Sequence, residues 1–186
     1  MGLGYKQVRV GDIEVAYDEV GASEAGELPF VLVHGLTGHR ADWAYQREFL
    51  STLGHVLMPD LRGHGNTQHP DDPGTYKFSH LVEDLRGFLD ALGIERCDLL
   101  GHSVGGMVAL RFVLAHPERV SSLIAMNTTP EAPEGYARWV FERGGELGRT
   151  EGMEELQRRV EVVSRQASTP VTDGHYAQWP VDYWEH

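Results

Sequence analysis

A single cysteine, Cys97, in a chain of 186 residues excludes an intrachain disulfide. It stands in the apolar stretch CDLLG (97–101) and reads as a small core residue. No window approaches the ~20 consecutive apolar residues that a bilayer-spanning helix needs. The opening residues, MGLGYKQVRVGDIEVAYDEVG, carry neither a basic leader nor an apolar core of signal-peptide length. Basic charge is scarce as well: 16 Lys and Arg stand against 28 Asp and Glu, a net charge of −12. That balance argues against non-specific attraction to nucleic acid or anionic lipid. Internal repeats and low-complexity segments are missing too. These absences point to a cytoplasmic enzyme or binding protein with no nucleic-acid or membrane partner. Its composition, 41% hydrophobic and 24% charged, is that of an ordinary globular chain. A chain of this size buries roughly 70% of its unfolded surface, enough for one domain with a small appended lobe.

What is present is an alternation of short apolar runs and amphipathic stretches. Residues 6–10 and 12–18, split by Gly11, read as an antiparallel hairpin. LPFVLVHG (28–35) is a continuous apolar run ending in glycine, as for a strand buried on both faces of a parallel sheet. Residues 40–53 place Trp43, Phe49, Leu50 and Leu53 on one side at helical spacing. HVLMPD (55–60) is a further strand. In 79–93, Leu81, Leu85, Phe88, Leu89 and Leu92 form a helical stripe that Gly93 stops. RCDLLG, VGGMVALRFVLAHP and RVSSLIAMN then read as strand, helix and strand. The order predicts an α/β fold, a mainly parallel sheet flanked by helices. Beyond Pro130 the pattern changes to two helical stretches, YARWVFERGGEL and MEELQRRVEVVSRQ. The expected division is therefore 1–130, an α/β layer, and 131–186, a helical cap or lid segment.

Between the strand at 97 and the helix that follows lies Gly101-His102-Ser103-Val104-Gly105, with Gly106 behind it. Gly-x-Ser-x-Gly in a strand–turn–helix context is the pattern of a nucleophile elbow. The glycines admit a sharp backbone reversal, Ser103 stands exposed at the top of the sheet, and the N-terminal amides of the helix favour developing negative charge. The loop HGNTQHPDDPGTYKFSH holds His64, His69, Asp71, Asp72 and His80, but their spacing fits no zinc or di-metal pattern, so it reads as a solvated polar loop.

Three motifs in order, His34-Gly35, Asp60-Leu61-Arg62-Gly63-His64-Gly65 and Gly101-His102-Ser103-Val104-Gly105-Gly106, give residues 5 to about 130 a resemblance to the α/β-hydrolase family. The resemblance implies Ser103 as nucleophile and an oxyanion hole made of the backbone N–H groups of Val104 and Leu36. It implies structural roles for His34, His102, His64, Asp60 and Arg62, and no cofactor or metal. Serine at the elbow argues against haloalkane dehalogenases and epoxide hydrolases, similar chains that carry aspartate there. Esterases, lactonases, carbon–carbon bond hydrolases and cofactor-free haloperoxidase-like enzymes remain; the stretches HGLTGHRADW and GHSVGGMVAL look most like enol-lactonases and carboxylesterases, so the expected substrate is a small ester or lactone.

A serine hydroxyl needs a base, and the base needs a carboxylate to orient it. In this family they follow the nucleophile as acid, then histidine. Of the later histidines, His116 ends the elbow helix on the far side from Ser103, while His175 and His186, with Asp173 and Asp182 nearby, follow no recognisable strand. After the strand at 119–127, where some relatives carry the acid, stands Asn127, with Glu131 only a remote substitute. The expectation is a chain without its acid and histidine loops, the N-terminal portion of a longer hydrolase, with the late strands missing. SSLIAMN would then be an apolar sheet edge open to self-association. Three readings stand: a serine hydrolase, a binding protein on the same fold whose serine is never activated, and an interaction module completed by another chain. The aromatics Trp139, Phe141, Trp179 and Tyr183 line an acyl pocket in the first reading and pack the cap onto the sheet in the alternative.

Overall fold

The computed structural model describes residues 4–22, 26–131, 146–147, 149–152, 155 and 158–159. The chain divides into two compact units, Met1–Glu131 and Ala132–His186. In the second, residues 146, 147, 149–151, 155, 158 and 159 are helical. The remainder of the expected cap, including Trp139, Phe141, Trp179, Tyr183, His175, His186, Asp173 and Asp182, lies outside the described residues.

The first unit is built on a six-stranded sheet of order β1-β2-β4-β3-β5-β6. Its strands are β1 (Lys6–Val10), β2 (Ile13–Val20), β3 (Phe30–Val33), β4 (Val56–Pro59), β5 (Cys97–His102) and β6 (Val120–Met126). β1 and β2 form the expected hairpin, closing at Val10↔Ile13, with Gly11 in the left-handed region at φ 54°. β2 is antiparallel to β4, while β3–β4, β3–β5 and β5–β6 are parallel.

Alternation along the central strands splits the core between two faces. Val31 and Val33 pack on one side with Leu57, Leu99, Val108 and Phe112. Leu32 turns to the other, with Trp43, Val56, Met58 and Leu100. β3 and β4 are thus apolar on both faces, the environment that a continuous hydrophobic run requires.

Three helices accompany the sheet: α1 (Ala44–Leu50), α2 (Phe78–Ala91) and α3 (Val104–Ala115). The α2 stripe holds, with Leu81, Leu85, Phe88 and Leu89 buried and Leu92 packed partly against them. The expected single helix over 40–53 does not form as such. Residues Arg40–Trp43 make a 3-10 turn before α1 begins. The change from 3.0 to 3.6 residues per turn breaks the shared phase of the four apolar positions. Trp43 is buried, but Phe49 and Leu53 stand 65% and 54% exposed.

Among the described residues, β6 pairs only with β5 and forms an edge of the sheet. Ile124 on that strand is half exposed. No helix among the described residues is long and apolar enough to cross a membrane.

Candidate active site at the end of strand β5

Ser103 sits between β5 and α3 with φ 51° and ψ −117°. A non-glycine residue with positive φ is strained and persists only where its surroundings over-determine it. Here they do. The Ser103 N–H donates to the Met126 carbonyl at 2.9 Å, and the Ser103 carbonyl accepts the Met107 N–H at 3.0 Å. Thr128 Oγ1 donates a further bond to the same carbonyl at 2.7 Å. The segment after β6 therefore braces the elbow from one side.

Close approach explains the surrounding glycines. A Cβ on Gly105 would fall on the carbonyl oxygens of Val33 and His34, and one on Gly106 would meet the Thr128 side chain. A Cβ on Gly35 would lie 3.3 Å from Ser103 Cβ and 3.2 Å from His102 Nδ1. The loop after β3 thus runs directly against the elbow. Its Leu36 N–H and the Val104 N–H, the first amide of α3, donate to no acceptor among the described residues.

The other motif residues hold these loops in place. His34 is fully buried. Its Nε2 accepts the Leu61 N–H at 2.9 Å, and its Nδ1 faces the Gly35 carbonyl at 2.7 Å. An amide only donates and a carbonyl only accepts, so the ring is the neutral Nδ1–H tautomer. Burial, reinforced by the nearby His64 ring, pushes its pKa down to about 3, in keeping with an uncharged imidazole. His64 Nε2 lies 2.7 Å from the Leu36 carbonyl and its Nδ1 lies 3.0 Å from the Arg62 carbonyl. The ring nitrogens of both histidines face backbone groups other than Ser103.

Asp60, its side chain fully buried, accepts the backbone N–H groups of Arg40 at 2.7 Å and Asn66 at 3.0 Å, together with the Arg40 guanidinium. Arg40 also reaches Asp18 at 3.1 Å. Arg62 grips Asp84 of α2 through two bonds of 2.7 and 2.8 Å and Asp12 of the hairpin turn at 3.1 Å. Asp42 accepts the His39 N–H at 3.3 Å, and burial lifts its pKa to about 6. His116 caps the far end of α3, 3.7 Å from Glu83. Asn127 follows β6 directly, with φ 45°.

The structure therefore brings Gly35, His102, Ser103 and Thr128 together. Thr128 and the Arg40–Asp60–Asp18 cluster went unseen in the sequence. A threonine in an NTTP run carries no spacing signal, and the two carboxylates that Arg40 holds, Asp60 and Asp18, lie 20 and 22 positions from it.

Residues 29–147 match the alpha/beta hydrolase fold family, and the chain belongs to that family. Its relatives give the family several chemistries. Human epoxide hydrolase 4 is 39% identical over 121 residues, 64% of this chain and 33% of that protein. The enol-lactonase from Burkholderia xenovorans LB400 superposes with a TM-score of 0.74 at 30% identity, covering 83% of this chain and 58% of the other. A structure reported with carboxylesterases of Nitrososphaera gargenis gives the same TM-score and identity over 84% and 57%. The chain spans about a third of the length of the epoxide hydrolase it matches.

Proposed function

We propose that this chain carries the nucleophile and oxyanion half of a serine hydrolase acting on small esters or lactones. Ser103 Oγ gives its proton to the base and attacks the carbonyl carbon, and the N–H groups of Val104 and Leu36 bind the oxyanion of the tetrahedral intermediate. Its collapse breaks the C–O bond to the leaving group, which departs as the alcohol (still tethered in a lactone) and leaves an acyl-enzyme. Water then releases the acid. The observation that carries this reading is the strained Ser103 backbone, held by Met126, Met107 and Thr128. Strain maintained by three hydrogen bonds at a half-buried turn is the hallmark of a site kept for chemistry. Each oxyanion donor of this kind contributes about 3–4 kcal/mol to the barrier reduction.

The epoxide hydrolases among the relatives raise a different chemistry. A serine that opened an epoxide would be left as an alkyl ether, which water does not cleave under enzyme conditions. Acyl transfer gives an ester intermediate that water does cleave, so Ser103 favours ester and lactone substrates over epoxides. The acid and base that would activate Ser103 are not supplied by His34, His64 or His116 in the first unit. In this reading the acid and base lie outside the first unit and come from another segment or from a second polypeptide.

A fluorophosphonate probe tests the reading on the full chain. Covalent labelling at Ser103, lost in Ser103→Ala, is the expected result once the acid and base are supplied, by the chain itself or by an added second polypeptide. A folded protein that stays unlabelled at millimolar probe with the acid and base supplied would leave only a binding role for the elbow.

A further inference from the structure

Gly35 creates a problem that the loop has to solve. A side chain on this residue would press on Ser103 Cβ and His102 Nδ1, at 3.3 and 3.2 Å from its Cβ. Glycine, however, lets the adjoining peptide rotate at little cost. The 35–36 peptide is trans, so its carbonyl and the Leu36 N–H point in opposite directions. A flip of that one peptide would carry the Leu36 N–H away from wherever an oxyanion forms.

Two carbonyls in succession are tied down. The Gly35 carbonyl accepts the Gly38 N–H at 3.2 Å and the His34 Nδ1–H at 2.7 Å. The Leu36 carbonyl meets His64 Nε2 at 2.7 Å, and this contact comes from a different loop, 28 residues further on. That second loop is itself anchored: Asp60 holds Asn66 and Arg40, Arg62 holds Asp84 and Asp12, and Leu61 fixes the tautomer of His34. The segment 60–67 is a rigid bracket, and His64 is the arm that reaches from it to Leu36.

We propose that His64 is a positioning residue of the acyl-transfer site: its Nε2–H holds the Leu36 carbonyl and, with His34 on the Gly35 carbonyl, locks the peptides on both sides of Leu36 so that the Leu36 N–H keeps one orientation. This rests on the hydrolase reading for its catalytic meaning, while the latch itself is a property of the folded chain. Because Leu36 is 42% exposed, burial of its own side chain does little to hold the backbone there.

The test uses ¹⁵N relaxation on the full chain, with the Leu36 N–H as reporter. Wild type is expected near the rigid-backbone order parameter of ~0.85, and His64→Leu, which fills the space without a donor, below ~0.6. His64→Gln, which retains an N–H donor, is expected to recover most of the loss. Equal Leu36 order in all three proteins overturns the latch. The ¹⁵N shifts of the His64 ring give an independent reading in wild type alone, should His64→Leu fail to fold. A protonated Nε2 supports the latch, and an unprotonated Nε2, whose lone pair cannot bond a carbonyl, overturns it.

Fluorophosphonate labelling of the same proteins separates the two readings. A rate at least ~tenfold slower in His64→Leu, restored by His64→Gln, supports positioning. An equal rate despite reduced Leu36 order overturns the positioning role. A wild type that never labels, even with the acid and base supplied, overturns the hydrolase reading, and the order parameter then decides the latch by itself.

Discussion

At the residue scale, His34 and Asp42 bring opposite titrations to the same pair of loops. Native His34 has its pKa pushed from 6.5 to about 3, mainly by burial. The unfolded chain takes up a proton that the native ring refuses, so the stability His34 confers is complete above pH ~6.5 and is lost as pH falls toward 3. Asp42 is lifted from 3.8 to about 6, again mainly by burial. Here the native state keeps a proton that the unfolded chain releases, so its contribution is complete below pH ~4 and is lost as pH rises to 6. Between pH 4 and 6 the two partly cancel. Urea midpoints measured from pH 3 to 8 should show this directly. His34→Gln, though less stable overall, should flatten the acid decline of wild type, and Asp42→Asn should steepen it. Three parallel curves would refute both assignments. None of this was legible in the sequence, where His34 reads only as a motif residue at the end of a strand. Its tautomer depends on Leu61, 27 positions away. Ser103 was legible because its signal is local: a glycine on either side, an apolar run before it and helix formers after it.

At the level of elements, the join between β3 and α3 decides whether the elbow forms. Alanine for glycine ordinarily stabilises a helix by about 1 kcal/mol. At Gly105 the sign should reverse, because the added methyl meets backbone carbonyls of Val33 and His34 rather than a side chain that can move away. Overpacking of this kind costs about 1–3 kcal/mol. Gly105→Ala should therefore lower the thermal midpoint and slow labelling of Ser103, since α3 must lift from the sheet and carry the Val104 amide with it. A Gly105→Ala protein as stable as wild type would show that α3 has slack against β3. The strands and helices of residues 6–126 were largely readable, because each carries its own period: two in the β1–β2 hairpin, continuous in β3 and β4, 3.6 in α2. The segment at 40–53 was misread because two helical periods meet at Trp43, and only a continuous pattern keeps its phase along the chain. The bracing of the elbow by Thr128 was hidden for another reason. It is a contact between β6's trailing loop and β5's, 25 residues apart in sequence, and pairing across strands leaves no periodic trace.

For the whole molecule, the open question is what meets the outer edge of β6. A parallel edge strand presents unpaired N–H and C=O groups, and natural proteins protect such edges with charge, proline or a covering element. β6 reads VSSLIAM, with no charge and no proline, and its Ile124 is half exposed. The family relatives offer no direct guide, since this chain matches only a third of the epoxide hydrolase. If the edge is available in solution, copies should associate through it, but each copy carries a net charge of −12. Like charges of that size repel until salt screens them, over ~10 Å at 0.1 M and ~3 Å at 1 M. Hydrophobic contact and strand pairing are not weakened in the same way. Association through β6 should therefore strengthen as salt rises, the opposite of what charge-driven pairing would do. Sedimentation velocity at fixed protein concentration, from 0.05 to 1 M sodium chloride, should show the mean mass climbing for wild type. Ile124→Lys places a charge in the middle of the edge and should hold the protein near 20.8 kDa throughout. A wild type that remains a monomer across the series would mean that β6 is already covered within its own chain, and the reading of a hydrolase completed by a second polypeptide would lose its physical basis.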